Sequence, residues 1–247
     1  MTSLSVIIPT YSNRYWITRC LNSLVSAKFQ EIDTVHIVDN HGDFKFLDCW
    51  AALPIKVTRP GVNTGWTGAL ALILPKVKSE FVMFLNDDTE FELLPDRLAM
   101  LLSHFADPQV GMVGPATGIA MGAQALDGPA IEDVKLLIGF CQIVRRSALE
   151  KAGGLDTQFI HGGDDLDICI RLKDAGYRLV LDRRVFVYHH AFKTGNRLFG
   201  NSRIPGGWNS QEMATHVYEQ VTDKHGQDRL LEIIAAPDYK PEEFTIH

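Results

Sequence analysis

The sequence predicts an α/β protein with an open, mostly parallel central sheet flanked by helices. Three observations predict it. Short β-branched or wholly apolar runs recur through the first half of the chain, stretches with helical apolar spacing separate them, and short polar residues repeatedly follow the runs. At roughly 150 residues per domain, 247 residues make one domain or two, and no linker divides them.

The elements follow in order. Leu4 to Pro9 (LSVIIP) is a buried strand, and Ile17, Cys20, Leu21, Leu24 and Val25 form the stripe of a helix packed on a sheet. Thr34 to Val38 and Ile55 to Thr58 are the next strands. Gly65 to Leu74 is helical and stops at Pro75. Phe81 to Leu85 is apolar throughout, as expected of a strand covered on both faces. Leu98, Leu101, Leu102 and Phe105 mark a helix, and Val110 to Val113 a strand.

Residues 115–136, rich in Gly and Ala and without a clear period, predict a long, mobile loop over a site. Leu137 to Val144 is a strand. Ser147 and Glu150 have the spacing of a capping box for a short helix ending at Gly153-Gly154. A helix opens at Asp164 or Asp165 and closes at Gly176. Arg178 to Leu181 and Val185 to His189 read as two strands, and a last helix runs from about Ser210 to His225.

Composition narrows the function classes. Acidic residues outnumber basic ones, 30 to 24, for a net charge of −6. A sequence-independent nucleic-acid binder is normally basic, so nucleic acid is disfavoured as a partner. Cys20, Cys49, Cys141 and Cys169 lack CxxC spacing and read as small core residues of a reducing compartment. The start MTSLSVIIPTY lacks the profile of a signal peptide, and the longest strictly apolar runs reach about six residues, far short of a membrane span. The expectation is a cytoplasmic protein with no transmembrane segment, peripheral membrane attachment being left open.

Ligands of an open α/β sheet bind beyond the carboxyl ends of its strands. Standing there are Pro9-Thr10-Tyr11, Asp39-Asn40, Arg59 and then Asn63-Thr64-Gly65, Asn86-Asp87-Asp88-Thr89, and His189-His190. In FVMFLNDDTEF two adjacent carboxylates follow an apolar strand and repel each other unless a cation compensates. Mg²⁺ or Mn²⁺, hard ions that bridge to phosphates, would suit them, and a plain polar turn is the other reading. In HGGDDLDICIRL, Asp164 and Asp165 open a helix, either as a cap or, facing a pocket, as a general base.

Residues 183–203 hold Arg183, Arg184, Lys193, Arg197 and Arg203 and no acid. Such a basic loop suits a diphosphate, or is a solvated surface loop. His189 is a third metal ligand or a structural hydrogen-bonder, and alternation along a strand lets only one of His189 and His190 face the site. Trp66 and Trp208 each either stack on a sugar or pack.

In their order and spacing these segments resemble the family 2 glycosyltransferases of GT-A fold. The resemblance rests on Val6-Ile7-Ile8-Pro9-Thr10-Tyr11, Val38-Asp39-Asn40, Asn63-Thr64-Gly65, the DxD-type Asn86-Asp87-Asp88-Thr89, Gly139 to Arg146, GGLDTQFIHGGDDLDICIRLKDAGYRL, and the closing YHH. It implies a GT-A (Rossmann-like) single domain over residues 1–226, with a nucleotide-sugar half of about 1–115 and an acceptor half of about 116–226, then a helical tail at 227–247. The LNDDTEF variant is similar to the rhamnosyl- and galactofuranosyltransferase-like branch.

The implied activity is inverting, Mn²⁺- or Mg²⁺-dependent transfer of a sugar from a nucleoside-diphosphate sugar, UDP- or dTDP-linked by preference, to a hydroxyl-bearing acceptor. Asp165 is then the base and Asp164 its support. Asp88 and His189 hold the ion, with Asp87 beside them. Asp39 contacts the base or ribose. Pro9, Thr10, Tyr11, Asn63, Gly65, Asn86 and Asp87 complete the sugar-nucleotide pocket, and Lys193, Thr194 and Arg197 contact phosphate.

Two positions depart from the pattern. Asn86 replaces the first carboxylate of a strict DxD, and Asp164 stands where Glu is usual. Two alternatives stay open. A nucleotidyltransferase would place a glycine-rich basic loop where PTYSNRYW stands, with Arg14 but no glycine. The other is a non-catalytic sugar-nucleotide or glycan-binding module on the same fold.

Overall fold

Alternate residues of the first strand, β1 (Leu4–Thr10), enter two different cores. Leu4, Val6 and Ile8 pack with the apolar stripes of α1 (Arg14–Ala27) and α3 (Arg97–Ser103). Ile7 packs with α2 (Gly65–Ile73), α4 (Arg146–Lys151) and α5 (Asp164–Asp174). The period of two along a strand thus builds a three-layer α/β/α arrangement with a buried sheet. The computed structural model describes residues 3–118, 124–160, 162–191, 203–204 and 208–234, with side chains for all of these except 203–214.

The remaining strands of the main sheet are β2 (Ile32–Asp39), β3 (Ile55–Thr58), β4 (Phe81–Leu85), β5 (Thr89–Phe91), β6 (Val110–Ala116), β7 (Ile131–Val134), β8 (Cys141–Arg145) and β9 (Arg178–His189). Their order is β3-β2-β1-β4-β8-β6-β9-β5, with β7 also on β9. The strands β3-β2-β1-β4 are parallel, as are β6 and β9. β8 lies antiparallel between β4 and β6, and β5 and β7 are antiparallel to β9. The sheet is therefore mixed, and its parallel part is the half expected to hold a nucleotide. A short hairpin, β10 (Arg203–Ile204) with β11 (Trp208–Asn209), precedes helices α6 (Ser210–His225) and α7 (Gln227–Ile234). Among the described residues no helix is long and apolar enough to cross a membrane.

Several elements differ from expectation. The long loop is largely anchored. Gln124, fully buried, donates to the Pro115 carbonyl at 2.8 Å and accepts from the Ile138 backbone at 2.6 Å, and Ile131–Val134 forms β7; residues 119–123 lie outside the described residues. The strand expected from Leu137 begins only at Cys141, because the Gln142 amide caps the Leu137 carbonyl at 2.6 Å. The two strands expected over 178–189 are one, with a register shift where Asp182 pairs with Pro115 and Phe186 with Ala116. Asp182 stabilises this irregularity by accepting from both the backbone and the guanidinium of Arg184. The capping box at Ser147 and Glu150 does not form: α4 starts at Arg146, whose guanidinium takes Glu150 instead.

At the acceptor end, α5 is fastened by a buried ion network. Asp167, almost fully buried, accepts from Arg171 one turn on and from Lys224 and His225 at the end of α6. Burial alone would raise its pKa, but these three partners hold it below the usual carboxylate range. Asp167→Ala is expected to cost about 3 kcal/mol in urea unfolding, because it removes the buried acceptor shared by Arg171, Lys224 and His225. A loss comparable to an exposed pair, below about 1 kcal/mol, would show that the network does not fasten α6.

Candidate active site

The site lies where β1, β2 and β4 end. Register places Thr10 beside Asp39, so the two strands stop level and their polar successors face the same end of the sheet. β8 runs the other way, so the residues entering it, Gly139 and Phe140, arrive at that end too. The Asn86 backbone donates to the Phe140 carbonyl at 2.9 Å, just beyond the Leu85–Cys141 pair. β9 finishes at His189, which pairs with Thr89 of β5.

Three of the expected residues meet here. His189 Nε2 lies 3.4 Å from Asp88 Oδ1 and 3.2 Å from Asn86 Nδ2, and its ring stacks on Phe140 with centroids 5.0 Å apart. His190 is turned away, 2.6 Å from Glu90 and against Trp16. A buried carboxylate and an imidazole this close form a donor pair that suits a divalent ion, with phosphate oxygens and water left to complete the shell. Among the described residues no group of three or more His, Cys, Asp or Glu assembles for a metal.

Asp87 points elsewhere. It accepts from Thr10 Oγ1 at 2.7 Å and from Asn13 Nδ2 at 3.1 Å, tying β4 to the loop after β1. Burial pushes its carboxyl up to about 7, and the neighbouring Asp88 charge adds to the rise.

Asp39, completely buried, accepts from the backbones of Gly42 (2.8 Å) and Phe44 (3.0 Å) and from Arg59 Nε (3.1 Å). In this structure it holds the loop after β2, and that loop sets His41 against Tyr11 with ring centroids 5.0 Å apart. Asn40 clamps the next turn by accepting from Thr64 N and Oγ1, while Asn63 accepts from Gly65 N. Gly65 takes φ +69°, the left-handed conformation that glycine tolerates best. Pro9 is the last residue but one of β1, paired with Val38.

The second acidic pair opens α5. Gly163, at φ +84°, is its N-cap, and a Cβ there would meet Val217 of α6 at 3.0 Å. Asp165 accepts from its own helix at Leu166 N (2.9 Å) and from Gly139 N (3.4 Å). Asp164 accepts from the indole of Trp66. The segment Gly139–Phe140 thus touches both acidic groups: Phe140 holds Asn86 and His189, and Gly139 holds Asp165. Lys193, Thr194 and Arg197 lie outside the described residues, as does the side chain of Trp208.

A family model, "Glycosyl transferase family 2", matches residues 5–132, just over half of the chain. The chain belongs to glycosyl transferase family 2. An uncharacterised protein of Mycobacterium bovis is 27% identical over 223 residues, covering 84% of this chain and 81% of that protein. The pre-mycofactocin glycosyltransferase of Mycobacterium tuberculosis is 27% identical over 207 residues, 75% of this chain and 42% of that one.

Among solved structures, GalNAc-T7 with UDP, GalNAc and Mn²⁺ superposes with a TM-score of 0.69 at 16% identity, over 98% of this chain and 53% of that one. Staphylococcus aureus TarS 1–349 with UDP-GlcNAc gives 0.63 at 18%, over 94% and 71%. The fold is GT-A, and this chain spans about half the length of the GalNAc-T7 chain.

In this family 2 glycosyltransferase the sequence left Trp66 open between stacking and packing. It is the donor to Asp164, a role that becomes visible only once α2 and α5 are brought end to end. The Phe140 stack and the Asn13 bond to Asp87 left no sequence signal, since both join residues far apart in the chain.

The two acids of α5 differ. Burial raises both, but the Asp165 charge pushes Asp164 further, up to about 8. Three backbone N–H groups, of Leu166, Gly139 and Asp165 itself, favour the charge on Asp165, whereas Asp164 has its own N–H and the Trp66 indole. Burial disfavours ionising both acids at once, and the more numerous backbone donors favour placing the pair's charge on Asp165.

A carboxyl whose folded pKa exceeds its unfolded value, about 3.9, destabilises the fold as pH rises between the two. Asp164→Asn is therefore expected to stabilise the protein at pH 8 by on the order of 1 kcal/mol and to change little at pH 4. Equal melting shifts at both pH values would show that Asp164 keeps an ordinary pKa.

Proposed function

We propose that this glycosyltransferase moves a sugar from a nucleoside-diphosphate sugar to an acceptor hydroxyl in a single inverting displacement. The observation that carries the reading is the Gly139–Phe140 bridge, which sets the Asp88–His189 pair and the Asp164–Asp165 pair on either side of one short segment. Asp88 and His189 would hold a divalent ion, which supplies neutralisation of the charge that builds on the departing diphosphate.

Asp165 accepts the acceptor hydroxyl proton as that oxygen bonds to the anomeric carbon and the bond from that carbon to the phosphate oxygen breaks. Asp164, protonated and held by Trp66, keeps a second negative charge out of the acceptor pocket. Tyr11, His41 and the loop held by Asp39 form the base side of the cleft. The chain divides near residue 115 into a sugar-nucleotide half and an acceptor half, followed by the helix Gln227–Ile234, and residues 235–247 of the expected helical tail lie outside the described residues.

The donor is UDP- or dTDP-linked. The neighbours GalNAc-T7 and TarS carry UDP or UDP-GlcNAc, and a mannosyltransferase of Pyrobaculum calidifontis, TM-score 0.60 at 19% identity, carries GDP-Man and Mn²⁺. The rhamnosyl- or galactofuranosyl-like branch rests on LNDDTEF. A nucleotidyltransferase is set aside by the family match.

The acid pair supplies the sharpest test. In a transfer assay over a panel of sugar nucleotides, Asp165→Asn is expected to lose about 10²–10⁴-fold in kcat, the range of a lost general base. Asp164→Asn imitates the protonated acid and is expected to stay within about tenfold of the parent. The reverse order would move the base to Asp164, and no transfer to any acceptor by the parent protein would leave a binding module.

For the metal pair, UDP is expected to raise the melting temperature of the parent more with Mn²⁺ than without it, by linkage. Asp88→Ala or His189→Ala should abolish that Mn²⁺-dependent increment. An increment that survives in both variants places the ion elsewhere.

A further inference from the structure

At the opposite end of the sheet from the acidic cleft is a second polar hollow of about 350 Å³. Such a volume lies near the lower end for small-molecule sites, about 300–1,000 Å³, and is too small for a groove that grips a polymer. Lys56 enters from β3, His36 from β2 and Ser5 from β1, while Lys76, Lys78 and Ser79 come from the segment joining α2 to β4. Alternation explains why these residues are polar. His36 shares a sheet face with Val38, which packs under α2, and Ser5 shares one with Ile7, but α2 does not extend over this end of the strands.

Two features point to an anionic ligand. The first is charge. In a chain of net charge −6, three lysines converge on one hollow whose single carboxylate, Asp33, already accepts from Ser79 Oγ at 3.1 Å. The second is His36. The residue is 7% exposed, it lines the hollow, and it makes no hydrogen bond or ion pair with the described residues. Its ring nitrogens are not sealed from solvent, so they reach the hollow and can meet a ligand there. Burial lowers its pKa, and the charges of Lys56 and Lys76 lower it further, so at neutral pH the ring is neutral and carries one N–H.

We infer that this hollow is a second binding site, for a phosphate-bearing ligand, with Lys56, Lys76 and Lys78 compensating its charge and His36 donating a hydrogen bond to it. The site is distinct from that of the sugar nucleotide, which lies beyond the other ends of the same strands. Phosphate of this kind is carried both by small soluble phosphoesters and by the headgroups of anionic lipids.

The test follows the His36 imidazole resonances of the whole protein while inorganic phosphate is titrated at constant ionic strength. A saturable shift is expected, weakened at least about tenfold, or about 1.4 kcal/mol, in the Lys56→Gln, Lys76→Gln double variant. Both lysines are exposed, so the double variant is expected to fold and to transfer sugar as the parent does. Sedimentation with phosphatidylglycerol vesicles, but not phosphatidylcholine vesicles, that is lost in the double variant identifies the headgroup as the source. A lysine-dependent phosphate shift without vesicle binding identifies a soluble phosphoester. Absence of both effects, or a phosphate shift equally strong in the double variant, overturns the inference.

Discussion

The site depends on one constraint of chain direction. A parallel sheet delivers the ends of β1, β2 and β4 to one edge, but every loop that leaves them must cross back over a face. Inserting β8 antiparallel beside β4 brings a chain segment into the sheet at that same edge. The bond from Asn86 N to the Phe140 carbonyl continues the β4–β8 ladder one step past the last strand pair. That single step sets Phe140 under His189 and leaves Gly139 free to meet α5. Without the reversed strand, the acids of α5 and the acids after β4 would share no neighbour.

The bridge so formed gathers carboxyl groups around one segment. Asp87, Asp88, Asp164 and Asp165 come from two chain segments, and burial raises the pKa of three of them: Asp87, Asp164 and Asp165. Groups held this way destabilise the fold at neutral pH, so their stability must come from elsewhere in the molecule. Two places supply it. Apolar packing on both sheet faces buries nearly every residue of β1 and β4. The Asp167 network is the complementary case: an acid two positions from Asp165, on the same helix, whose pKa is lowered because Arg171, Lys224 and His225 donate hydrogen bonds to it. The helix that carries the strained pair is thus anchored by its neighbour one half-turn away.

Much of this was legible in the sequence, and what was legible shares a property. Strands such as Phe81–Leu85 and the stripe of α1 announce themselves by local period, and the acids after them by contrast with the apolar run. What could not be read was non-local. β5 is three residues long and exists because β9 passes beside it. β7 lies in a stretch with no period, fixed by pairing to β9 and by the buried amide of Gln124. The resemblance gives Asp39 a contact to the base or ribose, and its oxygens here accept from its own loop and from Arg59, twenty residues on, bonds that the sequence does not announce. A residue's position at a strand end fixes its address, whereas the direction of its side chain is decided by which donors the fold brings within reach.

The two acidic doublets obey one rule. Adjacent residues at a strand end or a helix start project in different directions, so a doublet cannot present two equal carboxylates to one ligand. In a poorly solvated cleft it could not ionise both cheaply in any case. Each doublet is divided accordingly. Asp87 is turned inward to Thr10 and Asn13, and Asp88 is left beside His189. Asp164, raised to about 8 by burial and by the Asp165 charge, meets the Trp66 indole, and Asp165 accepts from backbone donors. In both, the first residue is tied to a neighbouring side chain, and the second is the one to which the proposed chemistry is assigned. The substitution of Asp for the usual Glu at 164 is compatible with this division, since a supporting acid needs only to reach the indole beside it, and the shorter side chain does so.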